Sequence, residues 1–210
     1  MNFNYPVNET KFQIPRRIIH GTTTKGILDI NKHGIRSRGF NIFGKQNLAI
    51  SLDFGEGFYC SYDNRVCRRQ VQARAKTKAD GFKLPNIRPV VIEIHVNPKI
   101  NQDTSLKCVY FDGNINKDGI EWAEFIAFHR VMKDKKNCIT SPCHNHPDII
   151  IGPVADGNAI TSYANDVHTG ILPIKDFYSE VTKSNWFPDY RQIVFGEKSI
   201  KYLKPVLKFR

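Results

Sequence analysis

Asp53-Phe54-Gly55-Glu56-Gly57-Phe58-Tyr59 is the stretch on which the fold turns, and it reads best beside Ile19-His20-Gly21-Thr22 upstream. Gly55 and Gly57 let the backbone adopt angles that other residues resist and pass close to a ligand. Phe58-Tyr59-Cys60-Ser61-Tyr62 is β-prone, so one ring points inward and the next outward. A flat aromatic beside an open backbone suits a planar heterocycle. Arg17-Ile18-Ile19 has the character of a short buried strand that ends in His20-Gly21-Thr22, and the spacing predicts a helix from Lys25 to Ile35.

Outward from this pair, residues 1–14 form a lead-in, and Pro15 opens a single domain over 15–210. Arg36 to Lys45 is glycine-rich, basic and non-periodic, the pattern of a loop over a site. Leu48-Ala49-Ile50-Ser51-Leu52 is an abbreviated strand. Asn64 to Ala79 is a helix capped by Asp63, with Val66, Cys67, Gln70, Val71 and Arg74 toward one side. Val90 to Val96 alternates as a strand stopped by Asn97-Pro98, and Leu106 to Phe111 is a second. An amphipathic helix starts at Gly119, with Ile120, Ala123, Phe125, Ile126 and Val131 inward.

Lys133 to Asn145 is a polar loop, and Asp148 to Ile151 a strand cut by Gly152-Pro153. Helices follow over Asn158 to Thr169 and Pro173 to Ser184, the second with Pro173 at its first position. Arg191 to Phe195 is a strand, Glu197 to Lys204 a helical turn, and Val206 to Phe209 a last strand. Short strands mixed with helices predict an α+β fold with a mainly antiparallel sheet.

The 210 residues, 40% hydrophobic and 24% charged, are enough for one globular core. No apolar run approaches a membrane span, and the N-terminus lacks the layout of a secretory signal. Five cysteines, an odd number at irregular spacing, argue against a disulfide framework. A cytoplasmic location is expected, or delivery into a target cell without a signal peptide. The net charge of +11 favours an anionic partner. It is concentrated in Arg65, Arg68, Arg69, Arg74 and Lys76, and again in Lys198, Lys201, Lys204, Lys208 and Arg210.

The order of motifs resembles the catalytic domain of the poly(ADP-ribose) polymerases and related diphtheria-toxin-like ADP-ribosyltransferases. It is more similar still to a family of short, mostly bacterial ADP-ribosyltransferase-like domains of unassigned function. That family carries His-Gly-Thr/Ser, Asp-Phe-Gly-x-Gly-Phe-Tyr, Gly-Pro-Val-Ala-Asp and a late Gln-x-x-Phe strand. Here these are His20-Gly21-Thr22, Asp53 to Tyr59, Gly152 to Asp156 and Gln192-Ile193-Val194-Phe195.

The resemblance implies a split, mainly antiparallel sheet and NAD as substrate. It implies that His20 bonds an adenosine-side ribose hydroxyl, that Gly21 takes the carboxamide, and that Tyr59 stacks on nicotinamide. Thr22, Gly57 and Phe58 complete the cofactor-binding set. Cleavage of the nicotinamide–ribose bond passes through an oxocarbenium-like ribose. The catalytic set is then His20, Tyr59 and Gln192.

The polymerases carry a glutamate where this chain has Gln192. An amide holds a ribose hydroxyl but supplies no full negative charge, which argues against polymer elongation. The expectation is mono-ADP-ribosylation of a protein or nucleic acid, as a toxin or effector, with an antitoxin or inhibitor protein as a possible partner. A non-catalytic NAD or ADP-ribose binding domain and an RNA 2′-phosphotransferase are the alternatives. Glu197 is the reserve carboxylate, and Asp156 a site residue of unassigned role. Cys138, Cys143, His144 and His146 are packed too closely for a zinc site with well-separated ligand pairs, so no metal is expected.

Overall fold

The computed structural model describes residues 13–37, 52–55, 57–131, 146–155 and 159–206. In chain order the elements are β1 (Arg17–Thr23), α1 (Thr24–His33), β2 (Phe58–Tyr62), α2 (Arg65–Asp80), β3 (Pro89–Val96) and β4 (Cys108–Tyr110). They continue with α3 (Gly119–Val131), β5 (Ile149–Pro153), α4 (Ile160–His168), α5 (Ile174–Val181), β6 (Arg191–Phe195) and β7 (Leu203–Val206). The strands form one seven-stranded sheet in the order β4-β5-β6-β2-β1-β3-β7. Only the β4–β5 pair is parallel; the other five are antiparallel. The mixed α+β architecture therefore follows the sequence pattern.

Both faces of the sheet are covered, which is why its strands are apolar at consecutive positions rather than at alternate ones. Ile18 and Ile19 point to opposite faces, yet their exposures are 0% and 1%. On one face Ile18, Ile94, Ile151, Ile193 and Phe195 pack with Ile27 and Ile30 of α1. On the other, Val109, Ile150 and Val194 meet Trp122, Phe125 and Ile126 of α3, backed by Phe177 of α5. Beside them α2 lays Cys67 and Val71 over Ile19 and Tyr190.

Several local features differ from expectation for identifiable reasons. Helix α2 is capped by Asn64, whose side chain accepts from the Cys67 amide at 2.8 Å. Asp63 instead ion-pairs with Arg68 at 2.5 Å. The inner side of α2 is Cys67, Val71, Ala75 and Ala79, an i, i+4 row of mostly small residues that brings the helix close to β1.

Strand β5 is not cut at Gly152-Pro153. Gly152 pairs with Gln192 and Pro153 with Arg191, so cross-strand pairing overrides the local breaker signal. The last strand comes earlier than expected, at Leu203–Val206, because it pairs with β3. Pro205 is tolerated there because β7 is at the sheet's edge. Pro173 caps α5 and lies just before its first residue. Leu52 has no regular structure, and the rest of the expected 48–52 strand lies outside the described residues, as does the loop over 133–145.

Candidate functional site

Strand β1 is paired with β3 along its whole length, from Arg17↔His95 to Thr23↔Pro89. With β2 it is paired only at Ile18↔Tyr62 and Ile19↔Ser61. Beyond Ile19 the two strands part, and a cleft of about 490 Å³ opens there, lined by both. That volume is in the range of small-molecule and cofactor sites.

His20 stands in the gap. Its Nδ1 lies 2.6 Å from the Tyr59 carbonyl oxygen, a group that can only accept, so the neutral ring carries its proton on Nδ1 and keeps Nε2 as an acceptor. The ring stacks on Phe58 at a centroid distance of 4.3 Å. Burial pushes the His20 pKa down to about 4; the Tyr59 carbonyl opposes the shift, and the charge of Lys78 adds to it. At neutral pH His20 is therefore an uncharged hydrogen-bond acceptor.

The opposite wall includes Asp53 and Gly57 to Tyr59, and the described residues of this stretch have mechanical reasons. Asp53, 3% exposed, ion-pairs with Arg130 of α3 at 2.5 Å. Phe54 is fully buried against Phe111 and Phe125, a burial worth roughly 1.5–3 kcal/mol. Gly55 has φ +70°, the left-handed region that favours glycine. The Tyr59 hydroxyl donates to the Gly55 carbonyl at 2.7 Å and accepts from the Phe54 amide at 3.2 Å. The phenol thus closes the turn, and the turn fixes the plane of the ring. At Gly57 a Cβ would stand 2.3 Å from Val194 Cγ1, so its missing side chain serves close packing on β6.

Gln192 belongs to the floor of the cleft. It pairs across the sheet with Ser61 and Gly152, and Tyr59 pairs with Val194. Tyr59 and Gln192 therefore share one face, because residues two apart on a strand point the same way. His20 reaches the cleft through the split between strands. Gln192 is 6% exposed, and its side chain and that of Ser61 lie beside the Tyr190 hydroxyl. Its Oε1 is buried with no hydrogen-bond partner. An orphaned acceptor in a wall facing a cleft is destabilising until something donates to it.

Of the other expected residues, Gly21, Thr22 and Phe58 all line the cleft. Gly21 is forced by packing: a Cβ there would be 2.7 Å from the Val71 carbonyl oxygen of α2. Thr23 caps α1 by accepting from the Gly26 amide at 3.2 Å. Glu197 is held by the Ser37 hydroxyl at 2.5 Å and is not among the cleft's lining residues. Asp156, Cys138, Cys143 and His144 lie outside the described residues, and no metal-holding cluster of His, Cys, Asp or Glu occurs among those described.

Tyr190 and Ser61, both buried cleft residues, were missed in the sequence. The available signal was the two-residue period, which puts Ser61 in phase with Tyr59 and Tyr190 in phase with Gln192.

A family model described as a protein of unknown function (DUF3990) matches residues 44–205. No curated protein and no solved structure gives a significant match.

Proposed function

The chain belongs to the DUF3990 family, and we propose that it binds NAD in the cleft between β1 and β2 and transfers a single ADP-ribose to a macromolecular acceptor. The observation that carries this reading is the unpartnered Gln192 Oε1 in the same cleft as the neutral His20. Both offer lone pairs, and ribose hydroxyls are the donors that fit them. The ring of Tyr59, its hydroxyl tied to the turn, supplies a planar face in the same cleft for nicotinamide to stack on.

In this reading Nε2 of His20 accepts from one ribose of NAD and Gln192 Oε1 from the nicotinamide-side ribose. As the acceptor's lone pair forms its bond to the anomeric carbon, the bond to nicotinamide breaks and its electron pair leaves on the ring nitrogen. The acceptor's proton passes to water. The partial negative charge of Oε1 favours the oxocarbenium-like ribose less than a carboxylate would. At about 1.4 kcal/mol per tenfold in rate, that deficit slows turnover by orders of magnitude without abolishing it.

The amide at position 192 also supports a second reading, an NAD or ADP-ribose binding domain without turnover. The 2′-phosphotransferase alternative is less well served. Two of the three arginines lining the cleft, Arg36 and Arg130, are engaged by Asp29 and Asp53, and His20 is the one histidine among the described residues that lines it.

The test is titration of NAD into the wild type, Tyr59→Ala and Gln192→Ala, together with incubation with labelled NAD and cell lysate. Tyr59→Ala is expected to weaken NAD binding severalfold, consistent with a stacking contribution of about 1 kcal/mol. Gln192→Ala is expected to keep much of the binding and lose the labelling. Unchanged NAD affinity in Tyr59→Ala removes the pocket assignment. NAD binding with neither labelling nor hydrolysis by the wild type leaves the binding-domain reading.

A further inference from the structure

We propose that the acceptor is a single-stranded nucleic acid, docked at the lip of the cleft where α2 faces the segment 182–190; this rests on the transfer reading above. Helix α2 carries Arg65, Arg68, Arg69, Arg74, Lys76 and Lys78, and its first acidic residue is Asp80 at its end. Arg68 is neutralised by Asp63. Arg65, Arg69, Arg74, Lys76 and Lys78 are exposed, and none has an ion-pair partner among the described residues.

Two of these cations lie over aromatic rings. The Arg69 guanidinium lies over Trp186 at 5.2 Å, and that of Arg74 over Tyr190 at 5.4 Å. Arg74 and Tyr190 themselves line the cleft, as does Gln192. Trp186, partly exposed, and the Arg69 and Arg74 stacks thus lead from the outer surface to the floor where the new bond would form.

Alternating guanidinium and aromatic planes match a chain that alternates phosphates with flat bases. An acidic peptide would satisfy the charges and leave the planes without a task. A duplex is excluded by reach: the attacking atom must enter a cleft between two strands of the sheet, so the base has to be out of the stack. The lone pair of a base nitrogen then bonds to the anomeric carbon as nicotinamide departs with the old bond's electron pair. The nitrogen's proton goes to water.

The experiment measures binding of fluorescein-labelled 20-nucleotide mixed-sequence single strands, DNA and RNA, and of the corresponding duplex, between 50 and 200 mM salt without NAD. The single strands are expected to bind at least tenfold tighter than the duplex. Arg65→Glu/Arg69→Glu, which reverses two exposed charges of α2 and gives up the Arg69–Trp186 stack, is expected to weaken single-strand binding at least tenfold. It should also flatten the slope of log affinity against log salt by about 1.4, at about 0.7 per phosphate contact. Trp186→Ala is expected to weaken binding severalfold with the slope unchanged.

Equal affinity for duplex and single strand, or an unchanged slope in the double variant, overturns the proposal. So does labelling of acidic proteins but of no oligonucleotide by labelled NAD. Because the binding measurement contains no NAD, loss of the pocket assignment and loss of the docking surface are read separately. Oligonucleotide binding by a chain that proves unable to bind NAD would refute the acceptor role.

Discussion

Protonation of His20 is the perturbation that most directly tests how the cleft is built. With a folded pKa of about 4 against an ordinary 6.5, the unfolded chain takes up a proton at His20 that the folded chain resists. Stability from this residue is fully present above pH 6.5 and is lost as pH falls toward 4. At 1.36 kcal/mol per pH unit, going from pH 7 to pH 5 crosses about 1.5 units of that window and costs about 2 kcal/mol. His20 keeps part of its surface in the cleft, so solvent screening reduces this to about 1–2 kcal/mol.

Urea unfolding at pH 7 and pH 5 of the wild type and of His20→Gln isolates the effect from the other six of the seven histidines. The wild type is expected to lose that much more stability than the variant. Its His20 ring resonance should show no titration above pH 5.5. NAD affinity should be level from pH 8 to 5.5 and fall only below, where an imidazolium would present a donor in place of the Nε2 lone pair. A His20 midpoint near 6.5, or identical pH slopes in the two proteins, would refute both the tautomer and the burial that set it.

Asp53→Ala removes the carboxylate that ion-pairs with Arg130 in the cleft wall. Arg130 is 17% exposed, which places the loss at the low end of the range for a broken buried pair, about 3 kcal/mol. The melting temperature should drop by about 6–12 °C, measured by circular dichroism, and a drop under 3 °C would show the pair to be dispensable. Gly21→Ala drives a Cβ to within 2.7 Å of the Val71 carbonyl oxygen, and neither backbone yields easily. The expected loss is about 1–3 kcal/mol in the urea midpoint, and an unchanged midpoint would mean that α2 can slide off β1.

What was legible in the sequence was whatever one element decides alone. Ile18-Ile19, Val90 to Val96 and Arg191 to Phe195 alternate or run apolar strongly enough to be read as strands, and residues of the His20-Gly21-Thr22, Asp53 to Tyr59 and Gln192 to Phe195 motifs converge on one cleft. What failed depended on a distant partner. Pro153 reads as a strand end until Arg191 pairs with it, and Leu203 reads as part of a turn until Val96 does.

At the site, the motif residues were visible, but their reasons were not. Gly57 lines the cleft, and its missing side chain also makes room for Val194. The Tyr59 hydroxyl holds the turn closed, a task no motif announces. Tyr190 and Ser61 carry no motif signal of their own and become visible only once Gln192 has been placed on its strand.

The pairing of β2, residues 58–62, with β6, residues 191–195, also sets an order of events during synthesis. At roughly 5–20 residues per second, the ribosome has made β2 on the order of ten seconds before its partner strand leaves the tunnel. Until then the edge of β2 that β6 will occupy is unpaired and the floor of the cleft, Gln192 and Tyr190, does not exist. Non-local pairing of this kind makes folding slow. It also means that a nascent or prematurely terminated chain holds His20 and Tyr59 but lacks the floor of the cleft. Competence then arrives in a single late step, when the strand carrying Gln192 inserts between β2 and β5.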